Sequence, residues 1–170
     1  MEKIVFLPGA SGNIDFWKPL IEFLPKKYEK QIIGYPGFGR IAEDTRLKSF
    51  SDLQEYVTGK INSESILIAQ SMGGIFAVNK AFTDASLIKG LVLIATSGGI
   101  DLTPFNVQDW RTEYQEQYPR YPEWFMTTKV NYDEYLEKIN IPTLLIWGDA
   151  DPISPVAVGI YLNTKLKGST

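Results

Sequence analysis

The chain has 170 residues, of which 44% are hydrophobic, a length and composition suited to one globular domain with a buried core. Its formal charge of −3 argues against nucleic acid and against an anionic membrane surface as partners. It contains no cysteine and no histidine, which excludes disulfides, thiolate chemistry and imidazole metal ligands together.

Met1-Glu2-Lys3-Ile4 runs straight into an apolar segment, with no stretch resembling a signal peptide. No run approaches the roughly 20 apolar residues of a membrane span. The expectation is a cytoplasmic protein without cofactor or metal.

Taken in order, Lys3–Leu7 reads as a first buried strand, followed by the small-residue loop Gly9–Asn13. A helix is expected over Phe16–Leu24, with Phe16, Leu20 and Phe23-Leu24 on one stripe. A second strand, about Gln31–Gly34, ends at Tyr35-Pro36-Gly37-Phe38-Gly39-Arg40. Phe50, Leu53, Val57 and Ile61 then recur at helical spacing, predicting a helix over Phe50–Ile61. Ser65–Ala69 reads as the third strand, and a helix running to about Phe82 follows it. The near-continuous apolarity of that helix predicts burial. Gly90–Ala95 and Thr143–Trp147 are strands four and five, and a last helix is expected over Val156–Leu166. Alternating strand and helix implies a parallel sheet covered on both faces, an α/β three-layer αβα sandwich.

Between strands four and five lies an aromatic-rich segment. Pro104, Pro119 and Pro122 break it into short pieces. The expected division is a core of residues 1–99 and 141–170 with a small helical lid over 100–140. The lid's inner wall, including Trp110, Trp124 and Phe125, is expected to help bind an apolar acyl group. Each aromatic alone is read as a packing residue before it is read as a substrate contact. Arg111 and Arg120 are read as solvated charges before they are read as anion contacts.

Chemistry concentrates at Ala69-Gln70-Ser71-Met72-Gly73-Gly74, between the third strand and its helix. Strand, tight turn of small residues, then helix is the setting that raises a serine hydroxyl on a sharp elbow. The small neighbours let backbone pass close to backbone. A turn serine without catalytic role is the plainer alternative. The segment Gly34–Gly39 does not have the glycine spacing of a dinucleotide-binding loop, and no phosphate-binding P-loop occurs.

Four segments in this order resemble the α/β-hydrolase family: Pro8-Gly9-Ala10 after the first strand, Gly34–Gly39 after the second, the elbow at Ser71, and Gly148-Asp149-Ala150-Asp151-Pro152-Ile153-Ser154-Pro155 after the fifth. The likeness runs from about Lys3 to about Leu166, with Ala69 and Pro8 departing from the usual glycine and histidine. It implies a compact version of that fold and a serine hydrolase cleaving a carboxylic ester or thioester. In it, Ser71 is the nucleophile and the N–H groups of Ala10 and Met72 are oxyanion donors. Asp151 is the triad acid, favoured over Asp149 by the G-x-x-D-x-x-x-P spacing. Gln70 and Gly9 wall the substrate site. The family's base is a histidine after one more strand, and Lys167–Thr170 looks like the entry to it. The expectation is therefore a chain lacking its last strand, histidine and closing helix, weak or inactive as 170 residues. The alternative is a non-catalytic relative that binds a small molecule or a partner.

Overall fold

The computed structural model describes residues 2–170. Five strands form one sheet: β1 (Lys3–Leu7), β2 (Glu29–Ile32), β3 (Ser65–Gln70), β4 (Ile88–Ile94) and β5 (Thr143–Ile146). Their spatial order is β2-β1-β3-β4-β5, and every neighbouring pair is parallel. Parallel neighbours require crossovers, and helices supply them. These are α1 (Lys18–Phe23), α2 (Phe50–Gly59), α3 (Met72–Thr83) and α7 (Val156–Lys165), with the short α4 (Arg111–Gln117), α5 (Trp124–Thr127) and α6 (Asp133–Leu136) between β4 and β5. The αβα expectation holds.

The two faces of the sheet are covered unequally. Val5, Leu7, Leu67, Ala69, Leu91 and Leu93 point to one side. There they pack in the main core with Phe50, Leu53 and Val57 of α2, Phe76 and Ala77 of α3, and Val158 and Leu162 of α7. On the other side Ile4, Phe6 and Ile68 form a smaller cluster around Trp17. The period-two alternation of the strands dictates this division. Farther along that second side, Leu144 and Ile146 of β5 stay 46% and 44% exposed.

Two sequence expectations move. The first helix begins as a 3-10 turn over Ile14–Trp17, capped by the Asn13 side chain, which accepts from Asp15 N–H, and only Lys18–Phe23 is α-helical. Its buried residue is Trp17, with Ile21 and Leu24 alongside. Phe16, Leu20 and Phe23 face outward, Phe23 being 88% exposed. The 3-10 start rotates the helix away from the face that an uninterrupted 3.6-residue period selects. Second, β2 lies two residues earlier than expected, because Glu29–Ile32 pairs with Lys3–Phe6 and the chain then turns into the Gly34–Gly39 loop. Beside β5, Ser169 makes an isolated parallel bridge to Thr143, Leu145 N–H donates to Thr170 C=O, and Thr170 N–H donates to Thr143 C=O.

Candidate active site

Ser71 sits between β3 and α3 at φ 50° and ψ −119°. An L-residue at positive φ is strained, and such strain persists only where the surroundings enforce it. Here they do. Ser71 N–H donates to Ile94 C=O at 3.0 Å, and Ser71 C=O accepts from Gly74 N–H at 2.9 Å and from the Thr96 hydroxyl at 2.6 Å. Serine normally caps a helix with its own oxygen from an extended backbone. At this geometry it makes no cap bond, so α3 does not consume the hydroxyl.

The glycines behind the elbow have a steric reason. A Cβ on Gly73 would strike the carbonyl oxygens of Leu7 and Pro8, and one on Gly74 would strike the Thr96 side chain. The turn therefore lies flat on the end of β1. Gly9 is equally constrained, since a Cβ there would collide with the Gln70 amide and stand 3.3 Å from Ser71 Cβ. The loop after β1 thus passes directly over the serine.

That loop is held by hydrogen bonds to its carbonyls. Tyr35, fully buried, donates its hydroxyl to Pro8 C=O at 2.7 Å, and Gly12 N–H donates to Gly9 C=O at 3.0 Å. From the segment between β4 and β5, the Tyr114 hydroxyl donates to Ala10 C=O at 2.7 Å and the Tyr121 hydroxyl to Ser11 C=O at 2.8 Å. Burial pushes the Tyr35 and Tyr114 phenols well above their ordinary ionisation range. The Ala10 and Met72 N–H groups remain unused by the loop, turn and cap hydrogen bonds of the described residues.

A cleft of about 1110 Å³ opens above the elbow. Gly9, Ala10, Gln70, Ser71, Met72 and Asp151 all line it. Asp151 Oδ1 accepts from Ile153 N–H and Ser154 N–H, each at 2.9 Å. This holds the carboxylate as a turn cap and leaves Oδ2 outside that bonding; Asp149 does not line the cleft. Trp110 and Phe125 stand on the wall as expected. Trp124 does not: it packs on Phe38 with ring centres 6.0 Å apart and belongs to the main core, so its expected substrate-binding role is corrected to packing. Arg111 lines the cleft but is already engaged by Asp109 and by Met126 C=O.

Thr96, Tyr35, Tyr114 and Tyr121 escaped the sequence reading. Their partners lie 25 to 110 residues away in the chain, and no local spacing signals such bonds.

The sequence fits the model of the alpha/beta hydrolase family over residues 4–162. The chain belongs to the alpha/beta hydrolase family. Among similar proteins is a pimeloyl-[acyl-carrier protein] methyl ester esterase of Wigglesworthia glossinidia brevipalpis, 26% identical over 201 residues, covering 92% of this chain and 77% of that protein. Because the matched stretch is 201 residues long, the relative carries extra residues inside it. An esterase of the same name from Yersinia pseudotuberculosis is 27% identical over 94 residues, where the chain spans only 36% of the relative. Among solved structures, the meta-cleavage product hydrolase from Pseudomonas fluorescens IP01 superposes with a TM-score of 0.76 at 15% identity, over 100% of this chain and 80% of that one. An alpha/beta hydrolase from a lagoon-sediment metagenome gives 0.75 at 22% identity, over 99% and 78%.

Proposed function

We propose that this hydrolase-family protein cleaves a carboxylic ester or thioester through an acyl-enzyme on Ser71. The observation that carries the proposal is the strained Ser71 backbone, which withholds the hydroxyl from helix capping and leaves it at a cleft beside two free N–H groups. Ser71 Oγ attacks the acyl carbonyl. The developing oxyanion is met by the N–H groups of Ala10 and Met72, the latter at the positive end of α3. The alcohol or thiol leaves, and water resolves the acyl group from Ser71 Oγ.

The proton of Ser71 needs an acceptor, and the 170 residues hold no histidine. In this proposal the acceptor is a base oriented by the free oxygen of Asp151, and it passes the proton on to the leaving alcohol or thiol. Donors and binding alone leave only residual catalysis. Residues 100–140 act as a lid whose wall, with Trp110 and Phe125, receives an acyl chain. The esterases similar to this chain favour a simple alkyl ester as the scissile group.

Treatment with a fluorophosphonate in imidazole buffer, which supplies a base, followed by peptide mass spectrometry tests this. The adduct is expected on Ser71 and absent from Ser71→Ala. A folded protein with no adduct at Ser71, or one labelled equally after Ser71→Ala, overturns the assignment. The missing histidine favours one rival, a non-catalytic relative that binds a small molecule or a partner. It predicts ligand affinity indifferent to Ser71→Ala and no acyl-enzyme with p-nitrophenyl acetate.

A further inference from the structure

We infer that Tyr114 and Tyr121 are positioning residues for the oxyanion donor Ala10, so that the segment between β4 and β5 sets the catalytic geometry as well as walling the cleft. The inference rests on Ser71 as nucleophile. Four successive carbonyls of the loop, Pro8 to Ser11, are each held by a separate donor: Tyr35, Gly12, Tyr114 and Tyr121. The Ala10 N–H belongs to the same planar trans peptide as Gly9 C=O and points the opposite way. With Gly9 C=O fixed on Gly12, the direction of that N–H is set by the peptides on either side. Tyr35 fixes the one before, from within the main core, and Tyr114 fixes the one after.

The tyrosines are themselves braced. Tyr121 also accepts from Gly39 N–H at 2.7 Å, tying the loop after β2 into the same array. Tyr114 packs edge-on against Trp110 and Phe125 at 5.4 Å, and Tyr121 packs against Phe38 at 5.2 Å. Their hydroxyls are therefore delivered by rigid rings, not by mobile chains. Aromatics of this segment that served only to contact an acyl chain would have no need to place two hydroxyls on consecutive main-chain carbonyls.

The test uses Tyr114→Phe and Tyr121→Phe, which keep the rings and their packing, with Tyr135→Phe on α6 as control. Phenylboronic acid is the probe, because it forms a tetrahedral adduct on a serine oxygen whose own oxygens occupy the oxyanion position. Affinity is read by boron-11 NMR, and exchange of the Ala10 amide by proton–nitrogen NMR. Each of these two variants is expected to bind the boronate about tenfold more weakly, as for one lost hydrogen bond, and to exchange the Ala10 amide faster. The control should match the parent protein in both. Unchanged affinity and unchanged exchange in both variants overturn the inference. Boronate binding that survives Ser71→Ala overturns instead the nucleophile on which it rests, and amide exchange then still reports whether the tyrosines hold the loop.

Discussion

At the scale of single residues, the elbow carries strain that a different residue would release. Glycine occupies the backbone region of Ser71 without penalty, so Ser71→Gly is expected to raise stability by about 1 kcal/mol, whereas Ser71→Ala is not. Urea titration of the two variants, monitored by circular dichroism, checks this. A Ser71→Gly protein no more stable than Ser71→Ala would mean that the positive φ carries no strain. The glycines around it give an opposite pair. Gly73→Ala drives a Cβ into backbone oxygens that cannot swing aside and should cost about 1–3 kcal/mol. Gly59, at the end of α2, has open space around its missing Cβ, and Gly59→Ala should stabilise by up to about 1 kcal/mol. Thermal melts of the two variants should move in opposite directions.

At the scale of elements, α1 shows where pattern and packing part. Trp17→Ala removes a fully buried ring from the smaller cluster and should cost about 3–5 kcal/mol. Phe23→Glu, at an exposed position of the same helix, should cost under about 0.5 kcal/mol. Equal losses in denaturant midpoints would restore the stripe that the periodicity suggested. That stripe was misread because a four-residue 3-10 turn precedes the helix, and nothing in Ile14-Asp15-Phe16-Trp17 announces it. Strands β1, β3 and β5 were legible nearly to the residue, since runs such as Ile4-Val5-Phe6-Leu7 and Ser65–Ala69 are short and apolar, whereas β4 begins two residues before the expected Gly90. The edge strand β2 was less so: three of its four residues are polar, and main-chain pairing with β1 fixes it, not its own pattern. Of the site, Ser71 and Gly73-Gly74 could be read because local turn sterics demand them. Ala10, Met72 and Asp151 came only through the likeness to a family, for the proposed role of two is by backbone and the third is an ordinary turn aspartate by sequence. Trp124 was misplaced because composition alone does not say which side of a helix faces a cleft.

At the scale of the whole molecule, the phenols that join the loop to the core and to the segment above it make the fold sensitive to alkali. Burial raises the ionisation of Tyr35 and Tyr114 in the folded state above the value of 10.0 that applies to an exposed tyrosine. Below that value both states are protonated and the full stability is present. As pH rises past it, the unfolded chain releases protons that the native chain retains, so stability falls with pH. Urea midpoints measured at pH 8 and at pH 11 should therefore drop steeply, and Tyr35→Phe should flatten the decline although it removes a hydrogen bond. A slope identical in that variant would assign the alkaline sensitivity to other groups.

The parallel bridge between Ser169 and Thr143 has a practical corollary. A peptide fused after Thr170 and extended along β5 advances about 3.3 Å per residue toward the end of the sheet where the β3–α3 turn lies. Residues added there are thus carried along the β5 edge toward the level of the Ser71 turn, where a fluorescent reporter would sense the C-terminal end of the sheet.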